Sequence, residues 1–300
     1  MNGLSVLISR NLRLFLRDKA TVFFSFLSTL IIIALYFLFI ARVYTEAMDE
    51  MASGGIAAML DSSAKYFIVY LQMMAGVLVL NSMSLSTGVF STIAKDFETK
   101  RIDSFLLTPI KPYEMILSYF ICAMIVSFGM NAFTWLVSYI IIGLTTGYWL
   151  ALQTFFMALL VLFITSLVSC SIMLFITSLV KSSSAIGVVN GVSGTFFGFL
   201  CGIYMPYSNL GETTKIIGSA LPFTHLTIWL KQVMLNSAFG QLGINAEFGE
   251  ILLNSHFSAA SIGFLNFFVP LWVMVCVSTL FGLACLVISY SLLNKRLKTL

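Results

Sequence analysis

The sequence predicts an all-α integral membrane protein with six transmembrane helices. Of its 300 residues, 59% are hydrophobic and only 9% are charged, whereas soluble domains average about 25% charged residues. Apolar runs of about 20 residues, the length that crosses a bilayer as a helix, recur along the chain. Ten-residue stretches of alternating polarity do not recur, which argues against a transmembrane β-barrel.

Short polar segments separate six predicted spans. They cover residues 20–41, 66–94, 115–142, 151–180, 185–204 and 268–293. The first run is longer than the apolar region of about 7–15 residues in a signal peptide, and no cleavage pattern follows it. We therefore interpret the first run as a retained anchor, and residues 1–300 as a single transmembrane permease domain.

The basic residues predict the orientation of these spans. Lys and Arg concentrate on the cytoplasmic side of membrane proteins, and twelve of the 16 basic residues fall on the side that holds both chain ends. We expect both termini in the cytoplasm and a multi-pass protein of the inner or plasma membrane. The net charge of +4 is small, so no nucleic-acid partner is expected.

Residues 1–19 precede the first span and are predicted to form an amphipathic interfacial helix. Arg10, Arg13 and Arg17 fall opposite its apolar face and are expected to contact lipid phosphates or an acidic partner. A plain membrane-surface helix is the alternative. The apolar residues recur at helical spacing: Leu4, Leu7, Ile8, Leu12, Phe15 and Leu16.

The loop at residues 95–114 combines charges of both signs with an apolar run. Ile102, Phe105 and Leu106 lie at helical spacing, and Pro109 ends the short helix that this spacing predicts. An apolar face on an otherwise charged loop suits docking into a groove of another protein. A short interfacial helix that packs on lipid is the alternative.

The segment between the fifth and sixth spans, residues 205–266, is long and interrupted by prolines. Stretches near residues 212–219 and 224–238 are predicted to be helical. We expect partly embedded outer helices that cover the bundle before the last span begins.

The sequence lacks the groups that would let the chain supply its own energy. It has no phosphate-binding loop for ATP, and the six spans contain no Asp, Glu, Lys, Arg or His, which ion-coupled carriers usually need inside the membrane. The five cysteines lie in apolar runs without a Cys-x-x-Cys pair, so no metal site is expected. We assign no metal-binding or catalytic role to His225 or His256.

One short motif resembles that of an intramembrane serine protease. Gly191, Ser193 and Gly194 match its Gly-x-Ser-Gly pattern, but the spans contain no histidine to accept the proton of the serine. Helix packing is the favoured interpretation, because small residues that recur along one helix allow close approach. The recurring glycines are Gly187, Gly191, Gly194, Gly198 and Gly202.

A family resemblance rests mainly on the charged loop. Residues 96–109 read Asp-Phe-Glu-Thr-Lys-Arg-Ile-Asp-Ser-Phe-Leu-Leu-Thr-Pro, similar to an acidic-basic stretch followed by Thr-Leu-Glu-x-Leu-Leu-x-Thr-Pro. The outer segment around residues 202–206 and 221–225 is similar too. Together with the six spans and the basic N-terminal helix, these motifs resemble permease subunits of type-2 ATP-binding-cassette (ABC) exporters. Two departures are visible: Ile102 and Asp103 replace a usual Gly-Thr, and the expected basic residue after the outer proline motif would be Lys231.

The resemblance implies a half-transporter. Two permease chains, identical or related, would pair with two separate ATPase subunits that bind ATP and Mg²⁺, and this chain would carry no cofactor and no catalytic residue. The charged loop would act as the coupling helix in a cleft of the ATPase. Its implied residues are Asp96, Glu98, Lys100, Arg101, Ile102, Asp103, Phe105, Leu106, Leu107, Thr108 and Pro109.

In this family the second and fifth spans line the conduit. The candidate conduit residues are Asn81, Ser84, Thr87, Asn190, Ser193 and Thr195. The alternative interpretation, to which we give equal weight, is that these side chains form hydrogen bonds to neighbouring helices.

The expected function is export of an amphiphile (a drug, an antimicrobial peptide or a lipid-like molecule) from the cytoplasm. Export of a polysaccharide or lipid-linked glycan is an alternative. A non-transporting accessory or sensor membrane protein is a third interpretation. One sequence does not decide between a homodimer and a heterodimer.

Overall fold

A computed structural model describes most of the six predicted spans. The described residues are 3–19, 22–23, 30–31, 33–34, 45, 60–102, 110–180, 182–200, 211–244, 249, 263–264, 267–268 and 270–298. The first predicted span, at residues 20–41, lies largely outside them. The apolar part of the charged loop, residues 103–109, lies wholly outside them.

Eight helices and one short hairpin form the described part of the chain. The helices are α1 (Gly3–Arg17), α2 (Ser62–Glu98), α3 (Pro112–Thr146), α4 (Leu152–Leu179), α5 (Ser183–Leu200), α6 (Glu212–Ser219), α7 (Pro222–Gln241) and α8 (Leu271–Lys298). Strand β1 (Gly263–Phe264) pairs antiparallel with β2 (Phe267–Phe268), with Gly263 opposite Phe268.

Within the described residues, five helices are long and apolar enough to cross a membrane. They are α2, α3, α4, α5 and α8, and they correspond to the second to sixth predicted spans. The prediction of an all-α multi-pass membrane protein is thereby confirmed at the level of these five helices.

Helix α2 is the central helix of the bundle. In its most apolar window 94% of residues are buried, against 17% in α5 and 22% in α8, because α3, α4, α5 and α7 all contact α2. Its 37 residues extend about 55 Å at 1.5 Å per residue, well beyond a hydrocarbon core of about 30 Å. The helix therefore continues past residue 94, where the apolar run ends, as far as Glu98.

Small polar residues let α2, α3 and α4 approach closely. The Ser82 and Ser127 hydroxyl oxygens lie 3.1 Å apart, and Ser127 donates to Ser166 over 3.4 Å. Nearby, Asn81 Nδ2 donates to Asn131 Oδ1 at 2.8 Å. Such mutual hydrogen bonds satisfy polar groups inside an apolar bundle.

The turn between α3 and α4 needs two glycines for different reasons. Gly147 caps α3 in the left-handed region with φ 76°, where residues with a Cβ are strained. At Gly143, a Cβ would lie 2.6 Å from ring atoms of Trp149. This close approach seats the indole ring against the last turn of α3.

Helices α6 and α7 occupy the two stretches that were predicted to be helical after the fifth span. Helix α7 begins with Pro222. Proline suits the first helical position, because an N–H at that position would have no acceptor within the helix. It packs between α2, α4 and α8, with Leu226, Leu230 and Met234 fully buried. Helix α7 is thus part of the core of the bundle, whereas Ile216 and Ile217 of α6 are exposed.

Candidate functional site

The carboxylate of Asp96 lies in the last turn of α2 and is buried, with a side-chain exposure of 1%. Arg10 of α1 binds it with both guanidinium arms: Nη1 donates to Oδ2 at 2.6 Å and Nη2 to Oδ1 at 3.0 Å. Tyr119 of α3 donates its hydroxyl to the same Oδ2. A buried carboxylate requires such charged and hydrogen-bonding partners, because an unpaired charge is strongly disfavoured away from water.

A second polar contact joins α1 to α3 beside this ion pair. Asn11 is buried and donates Nδ2 to Ser118 Oγ at 3.1 Å, while Arg10 Nη1 donates to Asn11 Oδ1 at 2.8 Å. Leu7 and Phe15 are buried on the same face of α1. We call Arg10, Asn11, Asp96, Ser118 and Tyr119 the polar clasp; it connects α1, the end of α2 and the first half of α3.

The clasp changes the pKa of Arg10. Burial alone would lower the pKa of Arg10, but the hydrogen bond to Asp96 and the electrostatic interactions with Tyr119 and Asp96 outweigh this effect and raise it. Arg101 Nη1 lies 3.9 Å from Asp96 Oδ1 and adds a more distant positive charge.

The orientation of Arg10 differs from the sequence expectation. Arg13 and Arg17 are exposed, as expected for residues that face lipid phosphates or a partner, but Arg10 turns inward to Asp96. Arg10 is one position from Asn11 and so lies at the edge of the buried face. Its long side chain reaches across that edge, which helical spacing alone does not reveal.

Two residues of the expected coupling surface are buried instead. Asp96 is enclosed by the clasp, and Ile102 is 1% exposed in an apolar pocket with side chains from α2, α3 and α8, among them Met115 and Leu297. Both side chains therefore have partners within the chain itself, and their contact with an ATPase stays a prediction. Apolar spacing predicts that a face is buried but does not say against which surface.

The other expected coupling residues fall into two groups. Glu98, Lys100 and Arg101 are exposed, and Lys100 has a left-handed φ of 54° just beyond the end of α2. The remaining residues lie outside the described part of the chain: Asp103, Phe105, Leu106, Leu107, Thr108 and Pro109.

Glu98 connects the end of α2 to α5. Its carboxylate accepts hydrogen bonds from the backbone N–H of Ser183 at 2.9 Å and from the Ser183 hydroxyl at 2.7 Å. A carboxylate at a helix N-terminus satisfies a free N–H and complements the helix dipole. The last turn of α2 therefore contacts α1, α3 and α5 through two acidic residues that are two positions apart.

Helix α8 also reaches the end of α2. The guanidinium of Arg296 lies 4.1 Å from the centre of the Phe97 ring, within the range of a cation–π contact. Residues 96–102 are thus the place where α1, α3, α5 and α8 all meet α2. This convergence was not predicted from the sequence. The mixed charges at Asp96, Glu98 and Arg101 were interpreted there as part of a docking loop, although such charges are also typical of a polar contact between helix ends.

The structure brings three of the six conduit candidates close together, because Asn190 contacts Ser84 and lines one cavity with Thr87. Asn81 faces α3 through Asn131, and Thr87 is buried and donates to the Met83 carbonyl at 2.9 Å. Asn190 donates to Ser84 at 3.3 Å and joins α5 to α2. Ser193 and Thr195 lie further along α5, where Thr195 is exposed.

Most of the glycine face of α5 is uncovered within the described structure. A Cβ added at Gly187, Gly191 or Gly194 would meet no atom within 4 Å. Gly198 is buried, and Gly202 lies outside the described residues. Gly187 and Gly191 are exposed and Gly194 is half-buried, so the close helix packing expected of this stripe stays a prediction.

Two open cavities follow one another along α5. The first has a volume of about 310 Å³ and lies between α2 and α5. The second has a volume of about 610 Å³, and its described lining is the apolar stretch of α5 from Gly191 to Leu200. We call them the polar cavity and the apolar cavity.

His225 holds helices together. Its Nε2 lies 2.7 Å from the Ser219 carbonyl, and its Nδ1 lies 3.0 Å from Ser278 Oγ. Both ring nitrogens are therefore engaged, and His225 does not serve as a base for Ser193. Across the described residues there is no cluster of His, Cys, Asp or Glu suited to a metal ion.

Comparisons with known proteins place this helical bundle in a family. No curated protein matches the sequence. A family model described as ABC-2 type transporter matches residues 2–235, a range that holds α1 to α6, most of α7 and every residue of the polar clasp. The chain belongs to the ABC-2 type transporter family and is a transmembrane permease component of an ABC transporter.

Proposed function

We propose that the chain is the membrane-spanning half of an ABC exporter that moves an amphiphile out of the cytoplasm. A separate ATPase subunit supplies the energy through the coupling segment at residues 103–109. The observation that carries this proposal is the convergence of α1, α3, α5 and α8 on residues 96–102, immediately before that segment.

The proposed orientation places the clasp end of the bundle in the cytoplasm. Arg13, Arg17, Lys95, Lys100 and Arg101 are exposed at or near this end. Their concentration follows the positive-inside rule, so both termini and the coupling segment would be accessible to a cytoplasmic ATPase.

The buried residues around the coupling segment offer a mechanical route into the bundle. Ile102 precedes the segment directly and is packed among residues of α2, α3 and α8. Asp96 is held by α1 and α3. A displacement of the coupling segment would therefore move these helices together.

In the proposed cycle, ATP closes two ATPase subunits and their motion switches the bundle between inward-open and outward-open states. ATP and Mg²⁺ bind to the ATPase subunits. Nucleotide binding shifts the equilibrium between these two states only if the nucleotide-bound ATPase binds one state of the bundle more tightly than the other.

A second permease chain completes the proposed transporter. The uncovered glycines of α5, together with the exposed Val188 and Val192 at 66% and 62% exposure, form a surface suited to a neighbouring helix. The pairing of two such chains would enclose the conduit between them.

Inside-out membrane vesicles test the energy source. Vesicles that contain the chain and its ATPase should accumulate a fluorescent amphiphile when ATP is added, and the Leu106→Glu, Leu107→Glu double variant should lose at least nine-tenths of this uptake. Thr213→Glu adds a charge on the exposed side of α6 and should keep normal uptake. Uptake that survives ATP depletion but stops with a protonophore would contradict the proposal.

A further inference from the structure

The last two turns of α8 are more buried than most of this helix. In the most apolar window of α8 only 22% of residues are buried, whereas Leu293 and Leu297 are 3% and 4% exposed. Both side chains line the apolar pocket that holds Ile102. Arg296 lies three positions after Leu293 and one before Leu297, so its side chain starts beside the same buried face.

The guanidinium of Arg296 contacts both α2 and the end of α4. It lies 4.1 Å from the centre of the Phe97 ring, and its Nη1 atom donates to the Val180 carbonyl at 3.4 Å. A planar guanidinium can stack on an aromatic ring while its edge donates hydrogen bonds, a combination to which a lysine ammonium is less suited. These contacts join the end of α8 to two other helices.

The contact with Val180 lies at one side of the short turn between α4 and α5. Val180 is the C-cap of α4, where the last carbonyl groups lack partners within the helix and carry partial negative charge. A cationic donor such as Arg296 complements this end. On the other side of the turn, the Glu98 carboxylate binds the N–H of Ser183 at the start of α5. The turn is thus held by a cation at the end of α4 and an anion at the start of α5.

The last turn of α2 connects the two sides. Its consecutive residues Asp96, Phe97 and Glu98 have different partners. Asp96 is bound by α1 and α3, Phe97 contacts Arg296, and Glu98 binds Ser183. A displacement of this turn would therefore act on α8 and on the end of α4 through Arg296.

We propose that Arg296 is a positioning residue for energy coupling. By joining the Phe97 ring to the Val180 carbonyl, it makes the end of α8 and the turn between α4 and α5 follow the coupling segment. This role rests on the proposed export function and adds to it the residue through which α8 takes part in the motion. Without this contact the ATPase would still bind, because residues 103–109 are unchanged, but less of each ATPase stroke would reach α4 and α8.

Hydrogen–deuterium exchange of the full-length chain in nanodiscs, without ATPase, tests the contact itself. Arg296→Ala should speed amide exchange in the last two turns of α8 about tenfold, because one cation–π contact and one hydrogen bond are lost. Lys295→Ala removes the neighbouring exposed lysine, with the same change of charge, and should leave exchange unchanged. A normal elution profile on size exclusion shows that each variant is folded.

Vesicles that contain the ATPase test the role in coupling. Transport of a fluorescent amphiphile per ATP hydrolysed should fall about fivefold in Arg296→Ala, the lower end of typical coupling between two sites. It should stay normal in Lys295→Ala. Arg296→Lys keeps a cation over the Phe97 ring and should recover most of the loss.

Variants of Phe97 test whether Arg296 acts through the ring. Phe97→Leu keeps an apolar side chain in the pocket with Ile102 but removes the ring, so it should lower coupling as much as Arg296→Ala does. Phe97→Tyr keeps the ring and should couple normally. The double variant Arg296→Ala, Phe97→Leu should be no worse than either single variant, because two residues that act through one contact have non-additive effects.

Several results would overturn the role of Arg296. Unchanged exchange or normal coupling in a folded Arg296→Ala variant would do so, as would losses that add up in the double variant. If Arg296→Ala does not fold, Phe97→Leu decides, and normal coupling in that variant would overturn the role equally. Wild-type vesicles without ATP-driven uptake would instead contradict the export function, whereas the exchange experiment reports the contact without any transport.

Discussion

At the scale of single residues, the Arg10–Asp96 ion pair is the most consequential contact in the described structure. The Asp96 side chain is 1% exposed and the Arg10 side chain 24%, so the pair is closed to water on the acidic side. Removing one member of a buried pair leaves the other charge without compensation, whereas replacing both with apolar residues is often tolerated. This asymmetry distinguishes a structural pair from an incidental surface contact.

The variant Arg10→Ala should therefore destabilise the protein by about 3 kcal/mol. Arg13→Ala, on the exposed face of the same helix, should change stability by less than about 0.5 kcal/mol. Thermal unfolding of the detergent-solubilised protein, followed by fluorescence-detected size exclusion, measures both. The double variant Arg10→Met, Asp96→Leu should recover part of the loss. Equal melting temperatures for Arg10→Ala and Arg13→Ala would show that the clasp contributes nothing.

At the scale of helices, the sequence predicted the five described spans because apolar length determines where a membrane helix lies. It also predicted that the loop at residues 95–114 is important, because charges of both signs surround an apolar run there. It did not predict that Asp96 and Ile102 are buried. The contacts that bury them come from Arg10, Tyr119 and α8, and such long-range pairs leave no periodic signal in the sequence. The long-range hydrogen bond between Asn81 and Asn131 left no signal in the sequence for the same reason.

The position of Ile102 leads to a prediction about coupling. Ile102→Asp introduces a charge into an apolar pocket formed with α3 and α8, so the coupling segment loses its packed connection to the bundle. In vesicles that contain the ATPase, transport per ATP hydrolysed should fall at least tenfold while ATP hydrolysis continues. Ile102→Leu conserves volume and should retain coupling. Normal coupling in a folded Ile102→Asp variant would contradict the mechanical route proposed for this residue.

At the scale of the whole molecule, burial is unevenly distributed around α2. The central helix is enclosed, while α5 has a face with three glycines that no other described residue covers, next to the apolar cavity. One end of the bundle gathers the polar clasp, the Glu98 contact with α5 and the polar cavity. In the proposed half-transporter, the first end would receive force from the ATPase and the α5 face would contact a second chain.

Pairing through α5 has a direct test with a matched control. A Cβ at Gly191 meets no atom of the described residues within 4 Å, so Gly191→Leu should leave thermal stability unchanged but reduce the dimer fraction in nanodiscs several-fold. Gly282→Leu faces the Val168 backbone at 3.3 Å and should lower thermal stability by about 1–3 kcal/mol. Light scattering of the nanodiscs gives the dimer fraction. A full dimer fraction in Gly191→Leu would exclude α5 from the interface.

The central claim is that a separate ABC ATPase powers this chain through residues 103–109. Affinity purification of the tagged protein from its native membrane in mild detergent, with mass spectrometry of its partners, tests this claim most directly. We expect a stoichiometric ABC ATPase that is lost in the Leu106→Glu, Leu107→Glu variant and retained in Thr213→Glu. Recovery of the chain alone, or only with partners that lack an ATPase domain, would contradict the account and favour a non-transporting accessory protein.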